Sequence, residues 1–464
     1  MSIAFILNQT VQHCDLPPHS RVLDYLRQQA LTAAKPGCQE GDCGACGVLL
    51  GHIDGNGGLV YQHLNSCLLP LAALQGKHLL TVEGLSDSPT QLQQALIDNG
   101  GIQCGYCTPG FVVALTAHLL NSPALDEASL KTSLDGNLCR CTGYAGILRA
   151  GAAVQGLLPQ LPADPVQRLP ALIAAGILPA YLQQITTQLA QLPPATATAS
   201  NGPLLAGGTD LLLRQPPWQA TALMQIDPSL DRLEWQGGQI MIGAGCSVAE
   251  LASSPLLATH LPALPQILQH FASSAIRQRA TVGGNLVNAS PIADLAVLLL
   301  ALDAQLTLRS AQGERCLPLA QFYRGYKQLD LLPGEILATI SFAPPAGQLH
   351  FEKVAHRDYL DIASVNSALL LQRDGQDIIR ARFAAGGVAP MPLRLPAVEQ
   401  ALQGAVLTPD HALQVAELAA AHVTPISDIR GSARYKRLLL RQQLLAALLA
   451  LLPELNPEAV MELL

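Results

Sequence analysis

Cys38, Cys43 and Cys46 stand in the stretch GCQEGDCGACG, spaced C-x4-C-x2-C, and Cys67 follows after twenty intervening residues. Thiolates at this spacing suit a [2Fe–2S] cluster. Such a cluster carries net negative charge, and reduction adds more. Buried charge is costly unless donors face it. Backbone N–H groups are the nearest donors, and glycine lets the chain wrap closely around the sulfurs. Gly37, Gly41, Gly44 and Gly47 meet that need, while Glu40 and Asp42 should point outward. The bland alternative is a structural zinc site of four cysteines. Zinc knuckles favour two C-x2-C pairs, however, and this loop is longer and richer in glycine.

A second group follows. Cys104 and Cys107 are spaced C-x2-C, and after thirty-one residues come Cys139 and Cys141, spaced C-x-C. Each pair precedes a helix-like run, FVVALTAHLL or AGILRAGAA, so two helix N-termini can face one anionic centre. The halves CGYCTPGFVVAL and CRCTGYAGILRA resemble each other, which suggests a two-fold helical bundle. C-x-C is an awkward span for a disulfide. Taken alone this group also suits zinc; beside the first loop it reads as a second [2Fe–2S] cluster. The three remaining cysteines, Cys14, Cys246 and Cys316, read as small buried residues.

Two paired-glycine stretches form the next constellation. Leu204-Leu205-Ala206-Gly207-Gly208-Thr209-Asp210-Leu211 reads as a strand ending in a turn, and Thr281-Val282-Gly283-Gly284-Asn285 as a second turn. Without Cβ atoms in the way, such turns admit a pyrophosphate to backbone N–H groups. Either alone is an ordinary turn. A decoy, Gly243-Ala244-Gly245-Cys246-Ser247-Val248, lacks the third glycine of a dinucleotide fingerprint. Ser247 reads there as a helix N-cap. Near the end, Arg430, Arg434, Arg437 and Arg441 form a helical stripe, read as a solvated or interface face.

These groups need elements to position them. The chain has 464 residues, 49% of them hydrophobic and 13% charged, enough for several buried cores. Residues 1–85 alternate short apolar runs with glycine turns and predict a small mixed sheet; residues 86–155 predict helices. Residues 156–200 read as linker at their ends, with room for a helix between. Residues 201–345 predict an α+β domain, and residues 346–464 strands followed by helices. The formal net charge of -7 and the lack of a basic block argue against nucleic acid. The start MSIAFILNQTVQHC lacks a charged n-region, and no apolar run is long enough to span a membrane. The expectation is a cytoplasmic protein, in which dense cysteines bind metal.

GCQEGDCGAC, QCGYCTPG and GNLCRCTGY, in that order, resemble the iron–sulfur domains of the xanthine oxidase family of molybdenum hydroxylases. The resemblance implies an α+β multidomain chain. Its parts would be a β-grasp ferredoxin domain, a four-helix-bundle [2Fe–2S] domain, a flavin domain like those of vanillyl-alcohol oxidase (the PCMH type), and a C-terminal α+β flavoprotein domain. All eight ligand positions are cysteine here. Gln103 matches a family glutamine that contacts the molybdopterin cofactor, and the Cys139 cluster is the one nearest that cofactor. The two paired-glycine stretches match the family's FAD pyrophosphate loops. Phe271 and Leu337 then match residues that pack on the FAD, and Asp294 and Lys353 residues that bond its polar groups. The family's hydroxylases need a large molybdopterin domain, for which the 464 residues leave no room. The implied role is electron transfer from a purine, oxidised on a large molybdenum-binding partner, through two clusters and FAD to NAD. The implied assembly has two copies of each chain. Rival readings are a subunit acting with an aldehyde, nicotinate or CO hydroxylase, and a zinc-stabilised scaffold without redox chemistry.

Overall fold

The computed structural model describes residues 2–85, 89–122, 124–158, 161–193, 205–213 and 228–463. The chain divides into two compact units: Met1–Gln225 with Ala272–Arg279, and Ile226–Phe271 with Ala280–Leu464.

The first unit starts with a five-stranded mixed sheet: β1 (Ile3–Leu7), β2 (Thr10–Cys14), β3 (Gly47–Ile53), β4 (Leu59–Asn65) and β5 (His78–Leu80), in spatial order 2-1-5-3-4. β1 lies parallel to β5, and the other pairings are antiparallel. Every residue of β1 is buried, because the sheet is covered on both faces. Ile3, Phe5 and Leu7, with Val48, Leu50 and Leu79, share a core with the helix α1 (Val22–Gln28). Ile6, Leu49 and Leu80 point into a second core, as the two-residue period of a strand requires.

That second core is built by helices. α2 (Gln91–Asp98) and α4 (Glu127–Ser133) begin with capping boxes at Thr90 and Asp126. α3 (Thr108–Asn121) is buried continuously from Gly110 to Leu120 and is the central helix; α5 (Ala145–Gly156) completes the set. In the middle of residues 156–200, where the sequence left room for a helix, two helices form. These are α6 (Pro165–Ala174) and α7 (Leu182–Leu189), and Leu169, Leu172, Ile177, Leu182, Ile185 and Leu189 pack into the same core. Their spacing of three to five residues makes an apolar stripe. Arg168 fixes this packing by donating to the carbonyls of Leu119 and Ser122 at the end of α3, which have no partner within the helix.

In the second unit, one antiparallel sheet runs in the spatial order Leu233–Gln236, Gln239–Gly243, Ile336–Phe342, Gln305–Ser310, Gly313–Pro318. Ser247 caps the helix Val248–Ser253 with a capping box to Glu250, as expected for the decoy stretch. Cys316 lies on the outer strand and is exposed, which corrects its expected burial; Cys14 and Cys246 are buried. A second antiparallel sheet, Gln348–Val354, Val365–Asp374, Asp377–Gly386 and Leu393–Arg394, shares its core with the helices Pro396–Leu402, Pro409–Ala421 and Ala433–Leu451. The two regions expected to be separate domains, 201–345 and 346–464, share this unit from Ile226 onward. Asp303, after the first region's apolar helix Asp294–Ala301, pairs with Arg380, Arg382 and Arg394 of the second. In the C-terminal stripe Arg441 pairs with Glu417. No helix among the described residues is long and apolar enough to cross a membrane.

Candidate metal centres and anion loops

The loop before β3 wraps around its own sulfurs. Gly41 and Gly44 take φ of 81° and 67°, a region that favours glycine. The N–H groups of Glu40 and Asp42 both donate to Cys38 Sγ at 3.3 Å, and that of Cys38 to Cys43 Sγ at 3.3 Å. The side chains of Glu40 and Asp42 are exposed. From the sheet, Asn65 donates to the carbonyl of Gly41 at 2.9 Å and Ser66 to that of Cys46 at 2.7 Å. These bonds clamp the loop over the buried Cys46 and Cys67.

The thiols of this group shift one another's ionisation. Cys38 is pulled down to about 5, first by its bond with Cys43, while that same bond pushes Cys43 up. Cys46 is pulled down chiefly by Cys67, and Cys67 is pushed up by Cys46.

The second group repeats the pattern. Cys107 is the N-cap of α3, with Pro109 in the first turn. Burial pushes Cys107 up to about 12, and its contact with Cys139 adds to this. Burial works against ionisation at Cys139 as well. The Thr142 side chain and backbone N–H, at 3.1 and 3.5 Å, together with Cys107 hold it down nonetheless. Cys104 is lowered first by the Tyr106 N–H and then by Cys141, and Cys141 is raised by Cys104. Thr142, Gly143 and Tyr144, the last two at positive φ, intervene before α5 begins.

Among the described residues no three His, Cys, Asp or Glu side chains converge to hold a single ion. A tetrahedral zinc needs four sulfurs about one point. Two thiolates on one tetrahedral metal, at about 2.3 Å each, sit within about 4 Å of each other. Each group instead brings four thiols together, the donor set of a [2Fe–2S] cluster.

The two thiol groups are joined directly. The N–H of Leu138, next to Cys139, donates to the carbonyl of Cys43 at 3.0 Å. Lys35 Nζ reaches the carbonyl of Gly105 at 3.1 Å and lies over the Tyr106 ring. A Cβ at Gly110 would sit 2.2 Å from the Gly44 oxygen, so α3 approaches the first loop backbone to backbone. Gln103 is exposed beside the exposed Cys104 and Cys141.

The paired-glycine stretches behave differently from each other. In the first, Leu204 lies outside the described residues. Leu205 is buried, and the chain passes through Ala206 and Gly207 to Gly208 at φ 79°, then into a 3-10 turn at Leu211–Leu213. No acceptor among the described residues takes the N–H of Gly207, Gly208 or Thr209. Three free donors in one glycine turn are the kind of donor set an anion needs. The second stretch, in the other unit, is the first turn of the short helix Val282–Val287 and not a simple turn. Its donors are used: Val282 N–H by Cys246, Gly283 N–H by Ala244, Gly284 N–H by the Thr281 hydroxyl and Asn285 N–H by the Thr281 carbonyl. Gly284 is exposed, and the Asn285 side-chain oxygen, an acceptor, is buried without a partner.

Four other flavin candidates lie in the second unit. Lys353 and Asp294 bond to each other at 2.8 Å; Lys353 also reaches the His270 carbonyl, and Asp294 accepts from Asn366. Each retains bonding capacity, but their first partners are protein groups. Phe271 is half-buried, and Leu337 is buried where the strand register slips. Sequence reasoning missed a buried ion pair in the first unit, Arg277 with Asp135 at 2.6 Å, whose signal was the basic run IRQR directly ahead of TVGGN.

Residues 81–152 match a [2Fe-2S] binding domain. Residues 175–345 match the FAD binding domain in molybdopterin dehydrogenase, and residues 350–451 the CO dehydrogenase flavoprotein C-terminal domain. The chain is 29% identical to xanthine dehydrogenase of Emericella nidulans, over 88% of this chain and 35% of that protein. It is 30% identical to aldehyde oxidase 2 of Mus musculus, over 83% and 34%. It thus spans about a third of the curated relatives it matches. Among solved structures, quinoline 2-oxidoreductase from Pseudomonas putida 86 matches at TM-score 0.50 and 29% identity, over 53% of this chain and 88% of that one. A carbon monoxide dehydrogenase from Hydrogenophaga pseudoflava matches at TM-score 0.51 and 29% identity, over 56% and 92%. The cofactors of this chain are accordingly [2Fe–2S] and FAD.

Proposed function

We propose that this iron–sulfur and flavin chain of the molybdenum hydroxylase type is the electron-transfer subunit of a xanthine dehydrogenase. When bound, the clusters and FAD supply one- and two-electron chemistry linking a purine, oxidised on a large molybdenum-binding partner, to NAD. The observation that carries the reading is the hydrogen bond from Leu138 to Cys43, which joins two four-thiol groups through a few bonds of rigid backbone. The residues then take separate tasks. Cys104, Cys107, Cys139 and Cys141 hold the group facing the partner, since Cys104, Cys141 and Gln103 are exposed. Cys38, Cys43, Cys46 and Cys67 hold the inner group, with Cys46 and Cys67 buried and Asn65 clamping the loop at Gly41. Backbone donors offset the negative charge of both groups. Gly207, Gly208 and Thr209 are proposed to receive the flavin pyrophosphate, with Ala206, Asp210 and Leu211 shaping their turn; Gly283, Gly284 and Asn285 are proposed as a flavin loop of the other unit. Phe271, Leu337, Asp294 and Lys353 are proposed to line the flavin. The β-grasp reading of the first sheet is supported by its order, 2-1-5-3-4 with the single parallel pair β1–β5. A heterotetramer with two large subunits and a cytoplasmic location complete the proposal.

The similarity to aldehyde oxidase 2 makes an aldehyde the second candidate substrate class for the partner. One assay tests the division of labour. The chain alone should oxidise NADH with a dye and leave hypoxanthine and benzaldehyde untouched; adding the molybdenum partner should restore coupling of one of these substrates to NAD. Purine oxidation by the 464-residue chain alone would contradict the proposal.

A further inference from the structure

Arg279 lies under the first glycine turn. Its Nη2 points at the carbonyls of Gly207, at 3.2 Å, and Ala206, at 3.5 Å. It is part-buried, and its Nε is fully buried without an acceptor. No carboxylate among the described residues pairs with it. A cation withdrawn from water without a counter-charge is costly, and burial pushes this guanidinium down to about 10. Its neighbour Arg277, two residues away, has such a partner in Asp135.

The peptide unit is planar and trans, so its N–H points opposite to its C=O. A guanidinium that holds the carbonyls of Ala206 and Gly207 therefore turns the N–H groups of Gly207 and Gly208 away from itself. These are among the donors that find no acceptor in the described residues. We infer that Arg279 is a positioning residue for the flavin pyrophosphate: it orients the cradle and supplies an unspent positive charge behind it. The inference rests on the reading of residues 206–210 as a flavin loop and extends it to a residue outside the glycine stretches.

The test uses the full chain freed of flavin and titrated separately with FAD and with riboflavin, which has the ring but no phosphate. Iron content reports the integrity of the fold. Arg279→Gln should weaken FAD binding roughly ten- to hundredfold, the range for losing bonds to a charged group. Riboflavin binding and iron content should not change. Arg279→Lys keeps the charge but not the planar fork, and should lose only a few-fold. Gly208→Val, which fills the cradle itself, is the control. FAD affinity unchanged in Arg279→Gln but lost in Gly208→Val overturns the inference and leaves the flavin loop standing. Full FAD binding in Gly208→Val overturns the loop, and the inference with it. Equal loss of FAD and riboflavin in Arg279→Gln also overturns the inference. If the glutamine variant does not fold, Arg279→Lys decides: a few-fold loss confined to FAD supports the inference, and wild-type affinity overturns it.

Discussion

Cys107→Ser is expected to remove one of two iron–sulfur EPR signals and to leave the other intact. Cys107 belongs to the pair with Cys139, and its sulfur caps no bond that the first loop needs. Serine is a poor thiolate substitute, and altering even the surroundings of a metal ligand commonly costs ten- to a hundredfold in affinity or activity. Coupled purine-to-NAD turnover with the partner should therefore fall by roughly a hundredfold or more. NADH oxidation with a dye should stay within about twofold, because the flavin turn lies in another stretch of chain. Loss of both signals, or equal loss of both activities with FAD still bound, contradicts the assignment of two separate groups.

Gly110→Val should be the most damaging single substitution at the joint between the two thiol groups. Its Cβ would meet the Gly44 carbonyl at 2.2 Å for oxygen and 2.9 Å for carbon, and neither is a side chain that can swing aside. Overpacking of this kind typically costs about 1–3 kcal/mol; a backbone obstacle puts it at the upper end. Gly44 has no slack either, since its φ is 67° and the Gly136 oxygen would lie 2.6 Å from a Cβ there. The joint must open, and the Leu138-to-Cys43 bond stretches with it. A clear drop in melting temperature, with slower transfer of electrons between the two groups, is the expected result. A variant with wild-type stability and wild-type transfer would show that the close approach is incidental.

The thiol groups were legible because their chemistry sets sequence spacing directly. C-x4-C-x2-C with glycines between is a local statement about a loop, and the loop folds as that statement requires, with the Glu40 and Asp42 N–H groups facing Cys38. The pairing of thiols from distant segments was not legible as such; Cys104 meets Cys141 only through the packing of α3, α4 and α5. Where spacing was regular but charges were few, the reading was only partial. Residues 165–189 carry a helical stripe of Leu and Ile; the sequence left room for one helix between linker ends, and two form. The TVGGN stretch looked like a free turn because glycine pairs usually are. Its donors are spent instead on Cys246, Ala244 and Thr281, partners that only tertiary structure supplies. Asp294 and Lys353 are fifty-nine residues apart, and no periodicity announces that they bond to each other. Arg279 was hidden for the same reason: its partners are main-chain carbonyls more than seventy residues upstream.

The most direct test of the central claim is the metal and flavin content of the chain, purified without oxygen. Two four-cysteine groups, each with two metals, and one flavin turn predict about four iron atoms and one FAD per chain, with no zinc. The sample should be red-brown and give two distinguishable EPR signals on reduction. A colourless chain with zinc in place of iron would contradict the account.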